Sequence, residues 1–427
     1  MLQGSHTEMH LFLVIAFFLT VATAYYIYTP LPSAISEPWK VMLLDAGIRF
    51  VVKMGYLVDD LGLSHHTRVL NFAVDHLEVL APHSSEGVSV SDTVFAGLQV
   101  RVFESTRELR GQLKRGLLYF HGGGWAIGSG SKWKGETTTN IGMRSYDQLC
   151  RRMAQELDAV IVSVDYRLAP DVVFPGQYHD AIQAAWHFLQ PEVLARYSVD
   201  PGRVGVTGDS AGANLGAAVA HEVAMDSQAP IKFRVQALIY PVLQALDFNT
   251  PSYQQNQAVP ILYRPLMARF WLEYLGGDPS YIQPLLANDH AALDVSQLTS
   301  HRDKLNWTRL LPATVRKNYE PVVPLRGSVQ MLEELPGLTD PRAAPLLAEQ
   351  EVLTQAPPTY ILTCEHDVLR DDGLMYGRRL EEAGVAVSYD HHEDGFHGCL
   401  SFAFWPAYLE VGIRCVQNYI CWLGENL

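Results

Sequence analysis

Gly208-Asp209-Ser210-Ala211-Gly212 is the only G-x-S-x-G match in the chain. Ahead of it, Arg203-Val204-Gly205-Val206-Thr207 is a short β-branched run that predicts a buried strand; behind it, Ala213-Asn214-Leu215-Gly216-Ala217 opens a small, apolar stretch that predicts a packed helix. A serine at a sharp strand-to-helix turn is a nucleophile elbow. The flanking glycines allow the tight backbone, and the turn lifts the hydroxyl clear of the sheet with a helix N-terminus behind it. The second element of such chemistry is His121-Gly122-Gly123-Gly124-Trp125, directly after the strand-like Gly116-Leu117-Leu118-Tyr119-Phe120. Glycines there let main-chain N–H groups face a cavity, which is the task of an oxyanion hole. Gly122, Gly123 and Ala211 are the expected donors, and His121 is read as structural because it sits beside them.

A serine needs a base and an orienting acid. Thr359-Tyr360-Ile361-Leu362-Thr363-Cys364 predicts a strand with Glu365-His366-Asp367 at its C-terminal end, and Val385-Ala386-Val387-Ser388-Tyr389 predicts another, followed by Gly395-Phe396-His397-Gly398. The chain order Ser210, Asp367, His397 is that of a hydrolase triad, in which the histidine moves the serine proton and the acid fixes its tautomer. Asp371 and Asp372 rival Asp367 but lie further from the strand; His391 and His392 rival His397 but are expected at a strand end, exposed. His392-Glu393-Asp394-Gly395-Phe396-His397 has one residue too many for a zincin motif and a glycine where a helix is needed, so no metal is expected, and no cofactor.

These residues need a scaffold. Strand-like runs at 100–104, 116–120, 159–165, 203–207, 235–240, 359–364 and 385–389 alternate with helical stretches such as 146–157 and 178–189. That alternation predicts an α/β fold with a mostly parallel central sheet and helices on both faces, over residues 89–427. Arg167, after the 159–165 strand, either anchors a carboxylate below the site or lies on a surface turn. Residues 247–356 carry no strong strand pattern and form a lid-like insertion. Within it Phe270, Trp271 and Tyr274 recur at helical spacing and either line an acyl pocket or pack in the core. Residues 29–88 form a helical cap, broken at Gly62.

The N-terminus is physically distinct. After a short tail of residues 1–10, residues 11–28 hold no charge, long enough to cross a bilayer as a helix, with Tyr25, Tyr26 and Tyr28 suited to its interface. A cleaved signal peptide is the rival, through Ala22-Thr23-Ala24, but no basic residue precedes the run and apolar residues continue past the site. Lys40 and Arg49 after the span oppose a luminal catalytic domain, whereas the sequon Asn306-Trp307-Thr308 favours one. A net charge of −14 argues against non-specific nucleic-acid binding. The five cysteines, Cys150, Cys364, Cys399, Cys415 and Cys421, lack zinc-finger spacing and read chiefly as small buried residues, with a disulfide as the alternative.

His121-Gly122-Gly123-Gly124, the Gly-Asp-Ser-Ala-Gly elbow and Asp394-Gly395-Phe396-His397-Gly398 together resemble the hormone-sensitive-lipase branch of the α/β-hydrolases. The likeness covers nearly the whole chain and includes Tyr240-Pro241-Val242-Leu243-Gln244, Leu305-Asn306-Trp307-Thr308 and Ile361-Leu362-Thr363-Cys364-Glu365-His366-Asp367. It implies a triad of Ser210, Asp367 and His397, and hydrolysis of lipid esters, including cholesteryl esters and acetylated ether monoglycerides. It also implies a single-pass type II endoplasmic-reticulum membrane protein with a luminal catalytic domain. Two departures stand out: residues 132–143 look like extra sequence after the oxyanion loop, and Ala126 stands where deacetylase-like members carry a disulfide-forming cysteine. Two other readings remain open: an esterase of small xenobiotic esters and amides, and a non-catalytic ligand receptor on the same fold. The second is disfavoured because His397 is retained.

Overall fold

The β-branched runs assemble into one eight-stranded sheet: β1 (Val88–Phe95), β2 (Leu98–Ser105), β3 (Lys114–Phe120), β4 (Ala159–Val164), β5 (Val199–Asp209), β6 (Val235–Ile239), β7 (Thr359–His366) and β8 (Val387–Phe396). The computed structural model describes residues 2–78, 84, 86–107, 111–128, 144–292, 294, 298–327 and 329–427. The strand order is β1-β2-β4-β3-β5-β6-β7-β8. From β4 onward every pairing is parallel; only β1–β2 and β2–β4 are antiparallel. β1 is not legible as a strand in the sequence. It pairs through a two-residue turn at Ala96-Gly97, both at positive φ (49° and 88°), and Ala-Gly is not the usual signature of such a hairpin.

Parallel strands are buried on both faces, which is why the central runs are apolar throughout rather than alternating. The pleat nonetheless sorts them. Leu118 and Phe120 of β3 enter one core, Leu117 and Tyr119 the other. The first core is covered by α5 (Gly176–Phe188), α6 (Ala211–Met225) and α8 (Arg370–Glu382). The second is covered by α4 (Arg144–Leu157) and α9 (Glu410–Asn426).

The segment before the sheet is helical: α1 (Leu2–Ile27), α2 (Pro38–Asp60) and α3 (His66–Glu78). Gly62, at φ 67°, stops α2. α1 takes in most of the apolar run, with Phe12, Phe17, Phe18 and Leu19 exposed. Among the described residues no helix is long and apolar enough to cross a membrane, so the expected transmembrane helix over residues 11–28 is not seen there. The insertion at 247–356 contains no strand among its described residues; α7 (Arg264–Leu275) is its longest element and the rest are short helical turns. The extra sequence at 132–143 lies outside the described residues.

Candidate active site

β5 ends at Asp209 and α6 begins at Ala211, which leaves Ser210 alone in the turn at φ 52°, ψ −117°. A side-chain-bearing residue is strained there, and the surroundings hold it in place. The Ser210 N–H donates to the Ile239 carbonyl at 2.9 Å. A Cβ on Gly212 would sit 2.0 Å from the Phe120 carbonyl oxygen, and one on Gly208 2.5 Å from the same atom. Only glycine lets the end of β3 approach the elbow this closely.

The three expected side chains meet. His397 Nε2 lies 2.9 Å from Ser210 Oγ, and His397 Nδ1 lies 2.8 Å from Asp367 Oδ2. A carboxylate facing Nδ1 keeps the proton there, leaving the Nε2 lone pair to accept from the serine hydroxyl. Asp367 follows β7 directly and is fully buried; its second oxygen accepts the Leu369 N–H at 2.8 Å. Asn256, from the insertion, donates to the Asp367 carbonyl at 3.0 Å. The Tyr240 ring packs against the imidazole with centroids 4.8 Å apart.

The rivals have other partners. Asp371 accepts from Ser252 N at 2.7 Å and Arg370 Nε at 2.9 Å and so ties the insertion to α8, and Asp372 accepts from Leu243 N at 2.9 Å and Gln244 Nε2 at 3.1 Å and so ties the segment after β6 to α8. Burial pushes the Asp372 carboxyl up to about 8. His391 and His392 do not lie at a strand end, because β8 runs on to Phe396. His391 is exposed, but His392 is buried against Asp390 at 3.1 Å, so the expectation of two exposed rings is corrected for one. Arg167 forks onto Asp180 of α5, its closest contact 2.6 Å, with its own side chain largely exposed. Among the described residues the one group of metal-ligating type is Asp59, His65 and His66, where the Arg269 guanidinium already stands 3.0 Å from His66; the near-zincin histidines form no such group.

The oxyanion donors need correction. Gly122 N–H donates to Asp209 Oδ1 at 2.8 Å and so is not free for a ligand. Asp209, fully buried, also accepts from the hydroxyls of Tyr119 at 2.7 Å and Tyr146 at 3.1 Å. Burial raises its pKa against the pull of those donors. Among the described residues the N–H groups of Gly123, Gly124 and Ala211 have no partner. Gly123 and Gly124 take φ of 105° and 60°, and a Cβ on Gly124 would lie 2.4 Å from the Phe270 ring. His121 holds the loop from below: Nδ1 donates to the Gly122 carbonyl at 2.7 Å and the ring stacks on Tyr166 at 4.5 Å. Burial drives its pKa down to about 4, which keeps it neutral.

Sequence reasoning passed over Asp209 although it stands inside the motif. Its signal was the strand period, which turns it away from the hydroxyl it precedes. The insertion aromatics are core: Trp271 and Tyr274 are fully buried, with Tyr274 stacked on Trp125 at 4.1 Å. Cys364, Cys399 and Cys415 are also buried; Cys399 Sγ lies 3.7 and 3.6 Å from the other two, and all five cysteines are free thiols. Asn306 and Thr308 are exposed.

A family model described as the alpha/beta hydrolase fold matches residues 117–301 and 320–401. The chain is 53% identical to neutral cholesterol ester hydrolase 1 of Bos taurus, over 96% of this chain and 98% of that one. It is 42% identical to arylacetamide deacetylase of Bos taurus over the same shares of the two chains, 96% and 98%. Among solved structures, an esterase of Pyrobaculum calidifontis superposes with a TM-score of 0.59 at 24% identity, covering 92% of this chain and 98% of that one.

Proposed function

The chain belongs to the alpha/beta hydrolase family and is a carboxylic ester hydrolase, and we propose that it cleaves lipid esters through an acyl-enzyme on Ser210. The observation that carries the mechanism is His397 standing between Ser210 Oγ, at 2.9 Å, and Asp367, at 2.8 Å. As Ser210 Oγ attacks the ester carbonyl, His397 Nε2 takes the hydroxyl proton, and buried Asp367 stabilises the imidazolium. The tetrahedral oxyanion is met by the N–H groups of Gly123 and Ala211, with Gly124 replacing Gly122 as the third donor. His397 returns the proton to the departing alcohol. It then draws a proton from the water that attacks the acyl-serine and passes it to Ser210 Oγ as the acid leaves. No cofactor enters this chemistry.

The lipid-ester reading, with cholesteryl esters as substrates, is supported by the 53% identity to a neutral cholesterol ester hydrolase along almost the full length, and the family resemblance adds acetylated ether monoglycerides. We place the enzyme in the endoplasmic-reticulum membrane as a single-pass type II protein, anchored by residues 11–28 with the catalytic domain luminal. Supporting this are the uncharged run, the exposed rings of Phe12, Phe17 and Phe18, and an exposed sequon at Asn306, which would then carry a glycan. The arylacetamide deacetylase likeness supports a second reading, hydrolysis of small xenobiotic esters and amides.

Ser210→Ala tests the chemistry. Wild type labels with a fluorophosphonate probe and the variant does not, with ester turnover down by roughly four orders of magnitude or more; full turnover in the variant refutes the mechanism. Assaying acetyl, short-acyl and cholesteryl esters side by side separates the two substrate classes.

A further inference from the structure

Helix α2 (Pro38–Asp60) is amphipathic in the usual sense on one side only. Val41, Asp45, Val52 and Gly55 are buried against the domain. The opposite side carries no polar face. Trp39, Leu43, Phe50, Met54, Leu57 and, just past the end, Leu61 are all exposed, from 38% for Met54 to 63% for Leu61. At 3.6 residues per turn these six positions fall within about 60° of one another, a continuous apolar stripe nearly six turns long. Leu63, before α3, and Phe72, on it, are exposed as well. A soluble surface does not keep such a patch without something to cover it.

We propose that this outward stripe of α2 is a second lipid-contacting surface, lying in the headgroup–acyl boundary and seating the catalytic domain on the bilayer. Three observations select lipid as the occupant. First, exposed Lys53 borders the stripe, where a long cationic side chain reaches a phosphate while the apolar residues beside it sink, whereas Lys40 and Arg49 are held by Glu37 at 2.6 Å and Asp45 at 2.7 Å. Second, the N-terminal helix ends against the flank of α2 beside the stripe: Arg49 Nη2 donates to the Tyr26 carbonyl at 3.1 Å and to Thr29 Oγ1 at 3.0 Å, and its guanidinium stands over the Tyr26 ring at 5.1 Å. Whatever apolar medium receives α1 therefore also borders α2. Third, the loop beside the start of α2 presents exposed Trp405 and Tyr408, held there by Lys40 Nζ on the Ala407 and Tyr408 carbonyls at 3.2 and 3.3 Å; aromatic residues of this kind favour the membrane interface.

The buried side of α2 leads to the site. Asp45 Oδ1 accepts the N–H of Ile261, and the Ile261 side chain borders Gly398, next to His397. A helix lying on lipid is thus two contacts from the imidazole, which places the catalytic site close to the membrane surface. This use of the surface rests on the lipid-ester reading above; the contact itself does not, and is tested without turnover.

The full-length chain, with exposed Cys421→Ser, is given a single cysteine at Leu43, Phe50 or Leu57, or at exposed Glu381 of α8 as a control, labelled with an environment-sensitive fluorophore and reconstituted in phosphatidylcholine–phosphatidylserine vesicles. Emission at 43, 50 and 57 should shift to the blue and be quenched at least twofold by spin-labelled lipid, while 381 does neither. Equal emission and quenching at all four positions overturns the proposal. A blue shift without lipid quenching means that protein covers the face, a second copy or residues 129–143, and also overturns it. Fluorophosphonate labelling of the same samples reports the esterase reading separately. As a functional arm, Phe50→Glu with Leu57→Glu should lower hydrolysis of a vesicle-embedded long-chain ester about tenfold and leave a soluble acetate ester unchanged.

Discussion

Asp209 holds Gly122: the carboxylate accepts the glycine's amide proton at 2.8 Å, one residue before the elbow serine and 87 positions along the chain. The bond couples the nucleophile turn to the oxyanion loop, so the two halves of the hole are set by one buried side chain. Tyr119 and Tyr146 complete its shell. Asp209→Asn replaces an all-acceptor group by one that must point an NH₂ at a donor. Turnover should fall about ten- to a hundredfold, the scale of a misplaced oxyanion donor. KM should change little, and Ser210 should still react with a fluorophosphonate, only more slowly. Unchanged kcat would show that the loop holds its place without the bond.

Gly124 and Phe270 test how the insertion bears on that loop. A Cβ at 124 would require a side chain at φ 60° and lie 2.4 Å from the Phe270 ring. Gly124→Ala should destabilise the fold by about 2–4 kcal/mol, part backbone strain and part overpacking. Phe270→Ala removes the second part but leaves a cavity. The double variant should therefore be more stable than the sum of the singles predicts, by about 1 kcal/mol or more in a denaturation cycle. Additive losses would mean that the ring moves aside freely.

The parallel core was legible because buried strands leave uninterrupted apolar runs: β3, β4 and β6 fall where Leu117, Val160 and Ala237 place them. Ser210, Asp367 and His397 were legible because each stands at a strand end marked by glycine or by a break in hydrophobicity. The hole was only half legible. Gly122 looks like its neighbours in sequence, and the acceptor that removes it from the set, Asp209, comes from another strand. β8 was cut short for a similar reason. Asp390, His391 and His392 read as a polar loop, yet they pair in register with Leu362, Thr363 and Cys364, at the margin of the sheet, where one side of a strand can be wet. His392 is buried there because Asp390 offsets the cost of burial, a contact that no local pattern announces.

Asp367→Asn probes the tautomer argument directly. The Leu369 N–H can still find the amide oxygen, so the loop should fold normally. The amide NH₂ then faces His397 Nδ1, which must accept rather than donate, and Nε2 carries the proton toward Ser210. The ring can no longer take the hydroxyl proton. A fall of about 10⁴ in kcat is expected, with far-ultraviolet dichroism and melting close to wild type. A loss under tenfold would give the orienting role to some other group.

His221 carries the last prediction, on pH. It is buried in α6, with Nε2 2.7 Å from the Tyr376 hydroxyl. Burial first, and the Arg379 charge second, hold its pKa down to about 4, against about 6.5 in an unfolded chain. Between those values the unfolded state binds a proton that the native state refuses. The stabilising effect of the neutral ring is therefore complete above about pH 6.5 and is lost as pH falls toward 4. His121 and His290 act in the same direction, each held near 4 by burial. Their sum is an acid limb to which His221 contributes one proton. His221→Gln keeps a partner for Tyr376 but cannot titrate. Its stability should fall less steeply between pH 6 and 4.5, by up to about 1.4 kcal/mol per pH unit relative to wild type. Denaturation curves across that range measure the slope, and parallel lines for the two proteins would mean that His221 is already protonated in the fold.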